Sequence, residues 1–76
     1  MKERYIVTVH PEPGRAVPRT FERKGLAFAY VKRKLPLNAE PAITIAHQRL
    51  DTDGGSWIGL NAWTYYTNGE IDHVRL

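Results

Sequence analysis

Residues 22–36 read Glu22-Arg23-Lys24-Gly25-Leu26-Ala27-Phe28-Ala29-Tyr30-Val31-Lys32-Arg33-Lys34-Leu35-Pro36, and this stretch decides the fold. Wound at roughly 100° per residue, Ala27, Phe28, Val31 and Leu35 fall on one stripe, with Leu26 and Tyr30 at its border. Glu22, Ala29, Lys32 and Arg33 point the other way. Three cations in the last turn suit the negative end of a helix dipole, Glu22 suits the positive end, and Pro36 stops the run. The pattern predicts a helix over Glu22–Leu35. Its start is weak: Thr20 has no Glu or Gln three residues later, and Gly25 costs about 1 kcal/mol relative to Ala. Such a helix persists only when docked, so the flanking sequence has to supply a sheet.

Upstream, Arg4–His10 is rich in β-branched and aromatic residues and reads as a strand with Tyr5, Val7 and Val9 on one face. Pro11-Glu12-Pro13-Gly14 is a turn cluster. Arg15–Phe21 alternates as a second strand, confined to a sheet edge because Pro18 cannot donate to a ladder; a long irregular loop is the alternative. Downstream, Pro41–Leu50 reads as a strand with Ile43 and Ile45 on one face, followed by a turn at 51–55 and a long β segment over Ser56–Thr67. Asn68-Gly69 signals a two-residue hairpin with both residues at positive φ. Glu70–Leu76 would then return with Tyr66 opposite Ile71 and Thr64 opposite His73. Gly59 and Asn61 mark a bulge or bend in the long strand. The expected architecture is α+β, a single domain over 1–76. A mainly antiparallel sheet of four to five strands, in the order β-(β)-α-β-β-β, carries one helix on one face. Ala27, Phe28, Val31 and Leu35 are expected to dock on Val7, Val9, Ile43 and Ile45.

Composition agrees. The chain has 76 residues, 42% hydrophobic and 25% charged, values of a folded globular domain and not of a disordered one. There is no cysteine, hence no disulfide, thiolate metal site or cysteine nucleophile. No apolar run approaches the roughly 18 residues of a membrane span, and Met1-Lys2-Glu3-Arg4 leads into an alternating segment unlike a signal peptide. A cytoplasmic protein without membrane contact is the expectation. The net charge of +3 conceals an asymmetry. Residues 1–35 carry nine cations and three anions, a balance of +6, whereas residues 36–76 carry −3. Segregated charge of this kind draws an anionic partner to one side of a small domain.

Specific chemistry is sparse. Asp51-Thr52-Asp53-Gly54-Gly55 begins like a calcium loop, but Ser56 stands at the sixth position and Ala62 at the twelfth, so the segment reads as a turn. His10, His47 and His73 have no metal-ligand spacing. His73 shares a strand face with Arg75, which gives a ribonuclease-type general base and phosphate clamp as a third reading; no second acid–base partner is visible beside it. No phosphate loop, nucleophile elbow or carboxylate pair occurs. The expectation is therefore a non-enzyme with no cofactor, no metal and no small-molecule substrate.

The aromatic residues carry more. By strand parity Trp57, Trp63 and Tyr65 share one face, with Tyr66 opposite beside Ile58 and Leu60. One short helix cannot cover the large apolar groups on both faces, so the remainder points to a partner. The leading reading is a module that binds nucleic acid or an anionic protein or nucleoprotein surface through Arg19, Arg23, Lys24, Lys32 and Arg33, with Trp57, Tyr65 and Tyr66 as stacking groups. Lys34, nearer the apolar stripe, is a weaker candidate. The alternative is an inhibitor or adaptor that docks on a protein. In size and layout alone the chain is similar to phage-encoded accessory proteins such as anti-CRISPR inhibitors. An aromatic-bearing sheet is also similar to that of RNA-recognition modules, but their sheet signature is absent and the element order differs. A homodimer through the exposed sheet face fits either reading.

Overall fold

The computed structural model describes residues 2–76. Its elements run β1 (Glu3–Glu12), β2 (Arg15–Phe21), α1 (Lys24–Lys34), a 3-10 turn (Leu35–Leu37), β3 (Ala42–Asp51), β4 (Ser56–Tyr66) and β5 (Ile71–Arg75). All neighbours pair antiparallel in one sheet ordered β2-β1-β3-β4-β5. Arg15–Phe21 is thus a strand and an edge strand, where Pro18 sits opposite Thr8 without needing a ladder donor.

The helix is shorter than its pattern. Glu22 lies outside it, Arg23 caps it with extended backbone and no side-chain bond, and Leu35–Leu37 tightens into a 3-10 turn. Pro36 fits the first turn of that element, where its missing N–H is not required. Asn38 then ties the connection to β1. Its Oδ1 accepts from the His10 amide at 2.7 Å, while its Nδ2 donates to the Glu40 and Ala42 carbonyls at 2.7 and 3.0 Å.

α1 buries Ala27, Tyr30 and Val31 against Val7, Val9, Ile43 and Ile45, with Phe28, Leu35, Phe21 and Val17 packed around them. Tyr30 belongs to the core instead of its border, tilted onto Phe21 at 5.2 Å, because the helix leans over β1 and β2. Leu26 faces water.

Two expectations about β4 and β5 are corrected. Between Asn61, opposite His47, and Gly59, opposite Gln48, Leu60 is an extra residue with no partner. This bulge reverses the alternation, so Trp57 lies on the face opposite Trp63 and Tyr65 and joins Tyr66. A Cβ at Gly59 would approach the Leu76 Cδ1 methyl to 2.9 Å, a contact that this exposed terminal side chain would have to move to relieve. The second correction is the last turn. Among the described residues no non-glycine has positive φ, and only Gly69, at 98°, takes the left-handed form in this loop. Gly69 donates to the Tyr66 carbonyl at 3.0 Å and Tyr66 donates to the Glu70 carbonyl at 2.9 Å. The loop is the three-residue Thr67-Asn68-Gly69, a turn followed by a glycine bulge. One more loop residue moves the register by one, setting Tyr65 opposite Ile71 and Trp63 opposite His73.

Candidate functional site

The charge split along the chain becomes a split across the sheet. β2, β1 and α1 come from the basic first half of the sequence, and β3, β4 and β5 from the acidic second half. On the helix side, cations gather on rings at both flanks of α1. On the β2 flank the Arg19 guanidinium stands 5.0 Å from the Tyr30 ring and 5.5 Å from Phe21, and Arg33 and Lys34 each lie 5.7 Å from Tyr30. On the β4 flank Lys24 Nζ is 5.4 Å from both the Phe28 and Trp63 rings. Phe28 in turn meets Trp63 edge-on at 5.1 Å and Tyr65 at 5.9 Å.

Beyond the helix, four rings stand in a row across β1, β3, β4 and β5. Tyr5 stacks on His47 at 4.4 Å and 4°, and Trp63 stacks on His73 at 4.8 Å and 10°; His47 and Trp63 are 6.2 Å apart. A chain of hydrogen bonds runs beneath them. His73 Nε2 donates to Asn61 Oδ1 at 2.8 Å, Asn61 Nδ2 donates to His47 Nδ1 at 3.1 Å, and His47 Nε2 donates to Glu3 Oε1 at 2.5 Å. The two ends of one amide thereby fix both tautomers. His47, only 9% exposed, has both ring nitrogens satisfied, whereas His73 is exposed. Burial, with a lesser contribution from Glu3, holds the Tyr5 hydroxyl above its ordinary pKa; burial alone does the same for Tyr65.

The sequence candidates do not form one surface. Arg19 and Arg33 meet around Tyr30, and Lys24 meets the Phe28, Trp63 and Tyr65 group. Lys32 is exposed beside the connection to β3, and Arg23 is exposed at the helix start. Trp57 and Tyr66 lie on the outer face. There the Arg4 guanidinium sits 3.8 Å above Trp57 and bonds Gln48 at 2.8 Å. The Tyr66 hydroxyl bonds the Asp72 carboxylate, which raises its pKa first through that bond and then through its charge. His73, isolated in the sequence, is the end of a network that includes His47, Asn61 and Glu3. The alternation Ile43, Ile45, His47 is the signal that places His47 on the helix side. Among the described residues no three His, Cys, Asp or Glu side chains assemble into a metal site, and no helix is long and apolar enough to cross a membrane.

No protein-family model, curated protein or solved structure matches the chain. The electrostatics of the two flanks agree with each other. Among the described residues the single ion-pair contact within 4 Å is that of His47 with Glu3. None of the eleven Lys and Arg side chains, all of them in the described residues, is paired with a carboxylate. Five of them, Arg4, Arg19, Lys24, Arg33 and Lys34, rest on aromatic rings instead. Each such pairing contributes about 0.5–1 kcal/mol at an exposed site and leaves the positive charge open to an external anion.

Proposed function

We propose that this chain is a non-enzymatic binding module whose helix side engages nucleic acid, free or within a nucleoprotein complex. The observation that carries the reading is the set of unpaired cations resting on aromatic rings at both flanks of α1. Phosphates supply the missing counter-charge, and release of their condensed counterions drives association. The +6 balance of residues 1–35 supports the same side. A binding role suits the histidines, since His47 holds both ring nitrogens in structural hydrogen bonds and offers no free base. The test is equilibrium binding of a short oligonucleotide at several salt concentrations, for the wild type and for the Arg19→Glu/Arg33→Glu pair. The logarithm of the affinity falls linearly with log salt. The reversal weakens it about tenfold or more and flattens the slope by about one for each phosphate no longer held. Binding that ignores salt, or no binding, contradicts the reading.

A second reading, docking on a protein as an inhibitor or adaptor, draws on β5. This short edge strand leaves Ile71 56%, Val74 54% and the following Leu76 69% exposed. A protein strand added there would be held by apolar contacts and backbone bonds, insensitive to salt.

A further inference from the structure

The row of rings stops at an open face. Its planes stand on β1, β3, β4 and β5, so each inner ring has its faces covered by neighbours. On the β2 side Phe21 stands opposite Tyr5 and tilts onto Tyr30, but β5 is the last strand and nothing follows His73. The outward face of His73 is therefore exposed. The ring is also held in place: it stacks on Trp63 and donates Nε2 to Asn61, which is itself fixed by His47 and Glu3. A plate set in advance binds a planar ligand without the cost of ordering a free side chain.

The charges around this plate match a phosphodiester chain. Arg75 follows on the same face of β5, opposite Asn61, and Lys24 overhangs Trp63 from the helix. Of the carboxylates on this face, Glu3 is engaged by His47 and Asp51 stands at the distant hairpin end of β3, while Asp72 lies on the other face with Tyr66. Glu70, paired with Tyr66 just before β5, acts on the Tyr66 hydroxyl and so belongs to that other face as well.

We propose that His73 is a stacking plate for an unpaired nucleobase, with Arg75 and Lys24 holding the adjoining phosphates, so that the ligand is single-stranded nucleic acid. This rests on the function proposed above and narrows it. A duplex has its base faces already covered, whereas every unpaired base offers one, which makes such a site tolerant of sequence.

The experiment uses the full chain carrying Trp57→Phe, which leaves Trp63 as the one tryptophan reporter. Oligo(dT), oligo(U) and a DNA duplex of equal length are titrated while Trp63 fluorescence is followed. Both single strands quench Trp63 and bind about tenfold or more tighter than the duplex. His73→Ala loses about tenfold in single-strand affinity, and His73→Phe, which restores a ring without the hydrogen bond, stays within about threefold of the parent. Equal affinity for duplex and single strand overturns the proposal, as does a His73→Ala variant that binds like the parent or a His73→Phe variant as weak as His73→Ala. In each of those cases binding that still falls with salt leaves the broader nucleic-acid reading standing. Absence of binding to all three probes removes both.

Discussion

The sheet is held by different physics on its two flanks. Over β1 and β3, α1 excludes water and the contacts are aliphatic: Val7, Val31 and Ile43 have no exposed surface, and Ile45 has almost none. Over β4 and β5 only Phe28 and Lys24 reach across, and the rings there cover one another while their polar atoms hydrogen-bond in a chain. The helix spans two or three strands of five, so the remaining strands meet water with groups that tolerate it. The fully buried side chains are concentrated under the helix, and the open rings and unpaired cations lie beside it.

This contrast sets a graded series of effects. The largest belongs under the helix. Val31→Asp places an unpaired carboxylate at a fully buried position, which costs several kcal/mol against a marginal total and unfolds the domain. Circular dichroism melting checks this, and an unchanged midpoint would place the core elsewhere. Next comes Asn61→Ala on the open flank. It leaves His47 Nδ1 without its donor and frees His73, a loss of about 1–3 kcal/mol by urea denaturation. A loss as large as that of Val31→Asp would mean the two flanks form one core.

The last hairpin gives a sharper pair. Gly69→Ala costs about 1–2 kcal/mol because its φ is 98°, whereas Asn68→Ala removes only the bond to the Glu70 amide and costs less than about 1 kcal/mol. Equal large costs would restore a two-residue turn and its register. The smallest effect is alkaline. Tyr66 has its pKa raised by the hydrogen bond from its hydroxyl to Asp72, so the folded state favours the neutral phenol. The stability this confers is complete below the ordinary tyrosine pKa of about 10 and is lost as pH rises through the folded value. Melting midpoints followed upward from neutrality therefore fall less steeply above that point for Tyr66→Phe than for the wild type.

The elements themselves are legible in the sequence because period and punctuation specify them: Pro18 puts β2 at an edge, and Ile43 and Ile45 mark the buried face of β3. Sequence and structure part where one residue changes parity. Gly59 and Asn61 signal the bulge at Leu60, but its consequence, Trp57 turned to the outer face, depends on which residue loses its partner. Likewise Asn68-Gly69 announces a tight turn without deciding between two and three loop residues, a choice made by hydrogen bonds from Tyr66 and Gly69. The ring row is illegible for a stronger reason. It joins Glu3 to His47 and His47 to Asn61 and His73 through the register of four strands, and no local pattern carries that information.

The proposed engagement of nucleic acid by the helix side can be tested with the two tryptophans. They report on opposite faces, Trp63 beside Lys24 and His73, and Trp57 beneath Arg4. Their indole N–H resonances can be followed in a two-dimensional nitrogen–proton spectrum while oligo(dT) is added to the wild-type chain. With the helix side engaged, the Trp63 indole signal shifts progressively with oligonucleotide while that of Trp57 stays in place. Movement of Trp57 with Trp63 unmoved, or of neither, would contradict a helix-side interface.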